Sequence, residues 1–464
     1  MEESVEAQAT ALFQQGLQLQ QTSQWGDAER CYRQAIALAD SFAEAHGNLG
    51  FVLDQQGGKE QAEACYRASI AHNPTIATIH LNLGALLARQ KRHGEAEASY
   101  AAALALEPES SAVWSNLGAL NLNLRREETA EACLRHAITL SADNASARFN
   151  LAYLQLRRGN WEEGWQLFES RDWYRALEQR LPFPRWQGQD LAGKTLLACY
   201  EAGHGDMIHL VRYIPLLKAR GAERVELLCH PALTTLLQTV EGLDAVHPFD
   251  GALPQATFDY WLPLLSAPLH FHTRPDNVPA PSRYLQSYPD KRAYWASHLP
   301  KQAGARVGLV WKGNPKFEND RDRSLTHLGM LSPLWDVPGL QYVSLQKGMG
   351  EDEVPARVTE QPLVHLGSAM QDFADAAAII DQLDLVIAVD TAMAHLAGAL
   401  CKPCWVLLPW YMTDWRWGAE GDSSVWYPQS MQLFRQSHDG DWATVIAAVA
   451  QALRERFPAT GVPL

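Results

Sequence analysis

Three short stretches carry residue types suited to a charged, oxygen-rich substrate: "EAGHGD" at 201–206, "KGNP" at 312–315 and "DTAMAH" at 390–395. Each follows an apolar run, "KTLLACY", "RVGLVW" or "DLVIAV", that reads as a buried strand. Ligands of an open α/β sheet lie beyond the carboxyl ends of its strands, so chemistry is expected at these positions. In the first stretch, two glycines let the backbone turn tightly, and Asp206 opens a helix as a candidate base. The second presents Lys312 and Asn314. In the third, Thr391 can cap a helix whose free N–H groups and dipole form an anion site. His395 falls one turn on, at i+4 from Thr391, on about the same face. Each residue also has a structural reading. Asp206, Asp390 and Thr391 suit helix termini for dipole and capping reasons alone, Lys312 suits a solvated surface, and a lone helical histidine suits a core.

Other motifs say less. No G-x-x-x-x-G-K-[ST] is present, and "GHGDMI" lacks the G-x-G-x-x-G spacing, which argues against a P-loop enzyme and a standard dinucleotide binder. "DRD" at 320–322 has a metal-binding form, but Arg321 and Arg323 would compete with a cation. "HFH" at 270–272 has no third ligand nearby. "CKPC" at 401–404 has no second pair and leads into a strand, so its thiols read as structural. Seven scattered cysteines fit reduced core residues.

The elements that position these residues fall into two classes. Gly16, Gly50, Gly84, Gly118 and Ala152 recur every 34 residues, in register with Ala28, Ala62, Ala96, Ala130 and Gly164 and with Tyr32, Tyr66, Tyr100, Leu134 and Phe168. Such a period marks stacked helix pairs, and predicts an α-solenoid of five repeats over 1–178. Pro182 and Pro184 then predict a linker at 179–189. Beyond it, short apolar runs alternate with helical stretches, predicting parallel sheets with helices on both faces. The proline-dense "HTRPDNVPAPSRY" divides this part into lobes at 190–300 and 301–464, with a cleft between.

A formal charge of −14 and the lack of a basic block argue against nucleic acid as a partner. No apolar stretch is long enough to span a membrane, and "MEESVEAQATALFQQG" opens acidic where a signal peptide opens basic, so the expected location is cytoplasmic.

The repeats resemble tetratricopeptide repeats, carried by Trp114, Leu117, Gly118, Ala130 and Ala137 in one unit and by Pro74 and Pro108 closing two. The resemblance implies a groove for a protein or peptide partner; dimerisation or bracing of the other half is the alternative role. From 180 to 455 the stretches "GHGDMIHLVRYIPLL", "VGLVWKGNP", "DRDRSL", "SLQKG", "DLVIAVDTAMAHLAGAL" and "DWRWGAEGDSSVWYP" resemble the ADP-heptose lipopolysaccharide heptosyltransferases. These are two-lobed, Rossmann-like GT-B glycosyltransferases, and the repeat-plus-GT-B order is similar to O-GlcNAc transferases. The resemblance implies a metal-independent inverting hexosyl- or heptosyltransferase that uses a nucleoside-diphosphate sugar as donor and needs no cofactor. In it Asp206 is the base, while Lys312, Asn314, Gln346, Asp390, Thr391 and His395 hold the donor. His204, His209, Arg323, Asp414 and Arg416 contact acceptor or sugar, with the first lobe on the acceptor side and the second on the nucleotide side. Ala392 replaces the family's usual glycine, and His204 and His209 replace apolar or amide residues of repeat-fused relatives, implying a different acceptor edge. Trp415, Trp417 and Trp426 suit either a sugar face or lobe packing. A lapsed enzyme serving as scaffold or sugar-nucleotide sensor, and an envelope saccharide transferase, are the competing readings.

Overall fold

The 34-residue period has a direct steric cause. In the computed structural model, which describes residues 5–279, 283–301, 303–354 and 363–458, each repeat folds as two helices. The first four pairs are Val5–Gln21 with Trp25–Leu38, Ala43–Gln55 with Lys59–His72, Ala77–Arg89 with His93–Leu106, and Ser111–Asn123 with Glu127–Leu140. A Cβ added to Gly16, Gly50, Gly84 or Gly118 would come within 2.6 to 2.8 Å of Tyr32, Tyr66, Tyr100 or Leu134 respectively, so the glycine is what lets the large side chain of the second helix lie across the first. Ala28, Ala62, Ala96 and Ala130, each fully buried, are the small residues at the crossing. The turns between paired helices keep the same register. Ser23, Gly57, Lys91, Arg125 and Gly159 all have φ between 55° and 88°, a left-handed conformation that glycine adopts freely and the other three adopt at a cost.

Contacts divide the chain into one compact unit at 1–151 and a second at 152–464, so the division falls inside the fifth repeat (Ala145–Arg158 and Trp161–Phe168), where the sequence places the end of the repeats at 178. The second unit holds two all-parallel sheets. The first has strands β1 (Thr195–Cys199), β2 (Arg224–Cys229), β3 (Ala245–Pro248) and β4 (Tyr260–Pro263) in the order β3-β2-β1-β4. The second has β5 (Ala305–Val310), β6 (Leu340–Ser344), β7 (Leu363–His365), β8 (Leu385–Val389), β9 (Cys404–Leu408) and β10 (Met431–Arg435) in the order β10-β9-β8-β5-β6-β7. That is the doubly wound arrangement, with its first strand central and its switch point between β5 and β8. β8 and β9 are buried throughout, which explains their unbroken apolar runs.

Two segments differ from the sequence expectation. The 179–189 stretch is not a free linker: Leu181 and Trp186 are buried, and Arg185 forms a parallel bridge to Trp261 at the end of the first sheet. Helix Pro289–Ala296, expected with the first lobe, is fixed to helix Phe373–Ile380 of the second, where Asp375 accepts from Lys291 at 2.8 Å and from the Trp295 indole at 3.0 Å. All seven cysteines are free; Cys401 sits in a left-handed turn and Cys404 opens β9. Among the described residues no helix is long and apolar enough to cross a membrane, and no group of three metal-ligating side chains occurs.

Candidate functional site

The chain leaves β1 through "EAGHGD" into helix His204–Leu210, and leaves β8 through Asp390 and Thr391 into helix Ala392–Ala399. The two helices meet at Gly205. A Cβ there would stand 3.0 Å from His395 and 3.4 Å from the Cα of Ala392, so a residue without a side chain is what lets the two strand-end helices touch. His209, one turn on from Gly205, is fully buried and stacks on His395 with ring centroids 5.3 Å apart. His395 in turn stacks on Trp417 at 5.1 Å, and its Nδ1 lies 3.0 Å from the Tyr427 hydroxyl.

Arg416 ties this arrangement together. Its Nη2 donates to Asp206, its Nη1 to both oxygens of Asp414 at 3.0 Å, and its Nε to Nδ1 of His209 at 3.2 Å. The other Asp206 oxygen accepts from the Gly203 N–H at 2.8 Å. Asp390 faces Asp414, and burial followed by that like charge pushes its carboxyl up to about 6, against the opposing pull of Arg323, the nearby Trp417 indole and Arg416. Burial first, then the positive charge of Arg212 and Arg416 and the neighbouring His395, hold His209 well below its ordinary value. Burial, Arg416, Arg212 and Arg323 do the same to His395. Both histidines are therefore neutral at pH 7, suited to hydrogen bonding and stacking rather than to carrying charge. A geometric consequence follows for His209: with Nδ1 accepting from Arg416, its proton lies on Nε2.

Several polar atoms of this cluster are buried without a partner among the described residues: Nε2 of His209, Oγ1 of Thr391, and the indole nitrogens of Trp415 and Trp426. Thr391 stands at the N-cap of its helix as expected, but its hydroxyl makes no capping bond. Each buried donor or acceptor left unpaired costs about 1–3 kcal/mol, so four on one set of residues is a concentration of unmet hydrogen-bonding capacity.

Of the sequence-predicted residues, Asp206, His209, Arg323, Asp390, Thr391, His395, Asp414 and Arg416 are brought together here. The others are engaged by different partners. Lys312 is nearly buried and its ammonium is bonded to Glu353. Gln346 spends its whole amide on backbone: Oε1 accepts from the N–H groups of Trp311 and Lys312, both at 3.0 Å, and Nε2 donates to the carbonyls of Lys312 and Met349. It braces the exits of β5 and β6. Asn314 is exposed and folds back on the Lys316 N–H. His204 packs on Phe373 and His230, and burial followed by His230 lowers its pKa to about 4.

The tryptophans pack rather than present open faces. Trp161 stacks on Trp426 at 4.9 Å, and Trp165 meets Trp415 edge-on at 5.2 Å, so the last repeat helix buttresses the segment that carries Arg416. A second anchor lies two turns on. Fully buried Arg171 forms a two-pronged pair with Glu201 at the end of β1 (2.8 and 3.1 Å), and also bonds Glu169 and Ser266. Sequence reasoning missed this cluster. It also passed over Asn48, Asn82, Asn116 and Asn150, which repeat every 34 residues on the first helix of successive pairs. All four are half-buried, and the carboxamides of Asn82, Asn116 and Asn150 make no hydrogen bond to the described residues.

Family models of the tetratricopeptide repeat match residues 52–112 and 111–144. Residues 52–144 are tetratricopeptide repeats. Protein FlbA of Caulobacter vibrioides is 30% identical over 326 residues, covering 65% of this chain and 53% of FlbA, so the chain spans about half the length of that relative. The match is longer than the repeat array and takes in part of the strand-bearing unit. Among solved structures, PilF of Pseudomonas aeruginosa is 26% identical over 36% of this chain and 77% of its own, with a TM-score of 0.34. A thermophilic tetratricopeptide repeat protein of Thermus thermophilus is 22% identical over 37% of this chain and 91% of its own, with a TM-score of 0.32. Scores of this size carry no argument.

Proposed function

We propose that the chain is an inverting GT-B glycosyltransferase that moves a sugar from a nucleoside diphosphate to a protein acceptor held by its repeats. The observation that carries this reading is the convergence of Asp206, Asp390, Thr391, His395 and Arg416 from two sheets, at strand ends where open α/β folds bind ligands, together with the unpaired polar atoms among them. In this reading Asp206 accepts the proton of a hydroxyl or amide as that group attacks the anomeric carbon. The carbon–oxygen bond to the diphosphate breaks on the opposite face, inverting the centre. The charge that develops on the leaving group falls to the N–H groups at Thr391 and to Arg416 and Arg323. Lys312, committed to Glu353, is a less direct contributor than the resemblance implies. The asparagine ladder supports the acceptor half: a carboxamide that can both donate and accept, once per repeat, matches the backbone of an extended peptide.

A specific observation favours a second reading, a protein-binding scaffold with a lapsed site. Gly205 lies directly on Ala392, and Asp206 is engaged on both oxygens. One experiment separates the two. The protein is incubated with each common nucleoside-diphosphate sugar while release of the nucleoside diphosphate and thermal stabilisation are followed. The enzyme reading expects one donor to stabilise the protein and be consumed, with Asp206→Ala abolishing turnover but not binding. Neither stabilisation nor release with any donor leaves the scaffold.

A further inference from the structure

The two carboxylates on Arg416 are not equivalent. Asp414 lies two residues away on the same turn, accepts both from the guanidinium and from the Arg416 backbone N–H at 2.9 Å, and so is a local, fixed partner. Asp206 comes from the helix after β1, meets a single nitrogen of the guanidinium, and its side chain is 24% exposed where that of Arg416 is 7%. Of the two bonds, the one to Asp206 is the one an incoming anion can displace.

We propose that Arg416 is a gate on Asp206, exchanged between that carboxylate and the diphosphate of an arriving sugar nucleotide. The proposal rests on the glycosyltransferase reading and adds an order of events to it. A carboxylate held by a guanidinium is a poor proton acceptor, because protonation sacrifices a charge-assisted hydrogen bond. A diphosphate carries more charge than a carboxylate and matches the planar guanidinium fork with paired oxygens. When it draws off Nη2, Arg416 stays anchored by Asp414 and by His209, while Asp206 keeps only its bond from the Gly203 N–H. Its freed oxygen can then take the acceptor's proton. The base is thus released by the donor, and the donor must bind before the acceptor reacts.

The exchange makes a prediction of unusual sign: removing the candidate base should improve donor binding. Calorimetric titration with ADP, CDP, GDP and UDP is carried out on the wild type, Asp206→Asn, Arg416→Gln and the double variant. The diphosphate that binds the wild type should bind Asp206→Asn about fivefold or more tightly, within the usual range of coupling between linked sites. Arg416→Gln should lose at least about tenfold, and Asp206→Asn should then bring no gain in the Arg416→Gln background. Arg416→Lys, which keeps the charge without the fork, should fall between, and supplies a second background if Arg416→Gln does not fold. Equal or weaker binding by Asp206→Asn, or the same gain in both backgrounds, overturns the gate and leaves the glycosyltransferase reading standing. If none of the four diphosphates binds any variant, that reading falls and the gate with it.

Discussion

Replacing Asp390 by asparagine should stabilise the strand-bearing unit at pH 7.5 and do much less at pH 4.5. The carboxyl sits at the end of β8, where burial and Asp414 raise its pKa from 3.8 to about 6. The folded chain therefore holds this proton more tightly than the unfolded chain does. Protonated Asp390 favours folding at low pH, and the preference is lost as pH rises from about 4 through about 6. Above that range the native state carries a half-buried charge that faces Asp414. At about 1.4 kcal/mol for each pH unit of displacement, the penalty is roughly 3 kcal/mol when the group is fully ionised and roughly 1 kcal/mol at pH 4.5. Asparagine has nearly the same shape and no charge, so it removes the pH-dependent part. For a unit of this size, about 2 °C per kcal/mol is expected, giving a gain of roughly 6 °C at pH 7.5 against roughly 2 °C at pH 4.5. Differential scanning calorimetry of both proteins at the two pH values measures this. An equal shift at both, or a less stable variant at pH 7.5, would refute the electrostatic account and point to a hydrogen-bonding role for the carboxylate.

Three further outcomes test the scaffold around the site. Ser23→Gly relaxes an exposed residue at φ 58° and should add about 0.5–1 kcal/mol to the repeat unit in urea denaturation; a loss would mean that the serine side chain makes the turn. Arg171→Met leaves Glu201 without a cation in the interior and Glu169 with Arg185 alone, and should cost about 3–5 kcal/mol by the same measurement; a change under about 1 kcal/mol would show that water reaches the cluster. A chain starting at residue 152 should fold, whereas one starting at 179 lacks Trp161, Trp165 and Arg171 and should aggregate. Size-exclusion chromatography and circular dichroism decide between them, and two equally well-folded fragments would overturn the bracing role.

What could be read in advance depended on whether a residue's partner is implied by pattern. The repeats were legible because Gly84 and Tyr100 are in contact and their spacing recurs. Seven strands were legible as continuous apolar runs. β3, β7 and β10 were not, since all three are edges, partly exposed and short of apolar residues. Asp206, Asp390 and His395 could be singled out because strand ends converge in this fold class. The meeting of Arg416 with Asp206 follows from that convergence, but its geometry does not. The partners of Lys312 and Gln346, Glu353 and turn carbonyls, were not legible because they stand at no recurring distance. Arg171 and Glu201 were invisible for the same reason. The asparagine ladder shares the repeat period, but half-buried amides give none of the packing signal by which the glycines and tyrosines stand out.

The stacking of Trp161 on Trp426 has a kinetic side. Trp161 leaves the ribosome well before its partner Trp426, which is made about 265 residues later. Until then the helix Trp161–Phe168 has an aromatic face with nothing to cover it, and the pairing that finally covers it closes a very long loop. The four preceding repeats can complete themselves as they emerge, since each glycine and its partner, Tyr32, Tyr66, Tyr100 or Leu134, lie in the same hairpin. The chain is therefore expected to pass through a long-lived species with finished repeats and a sticky junction, the interval in which a chaperone would matter most.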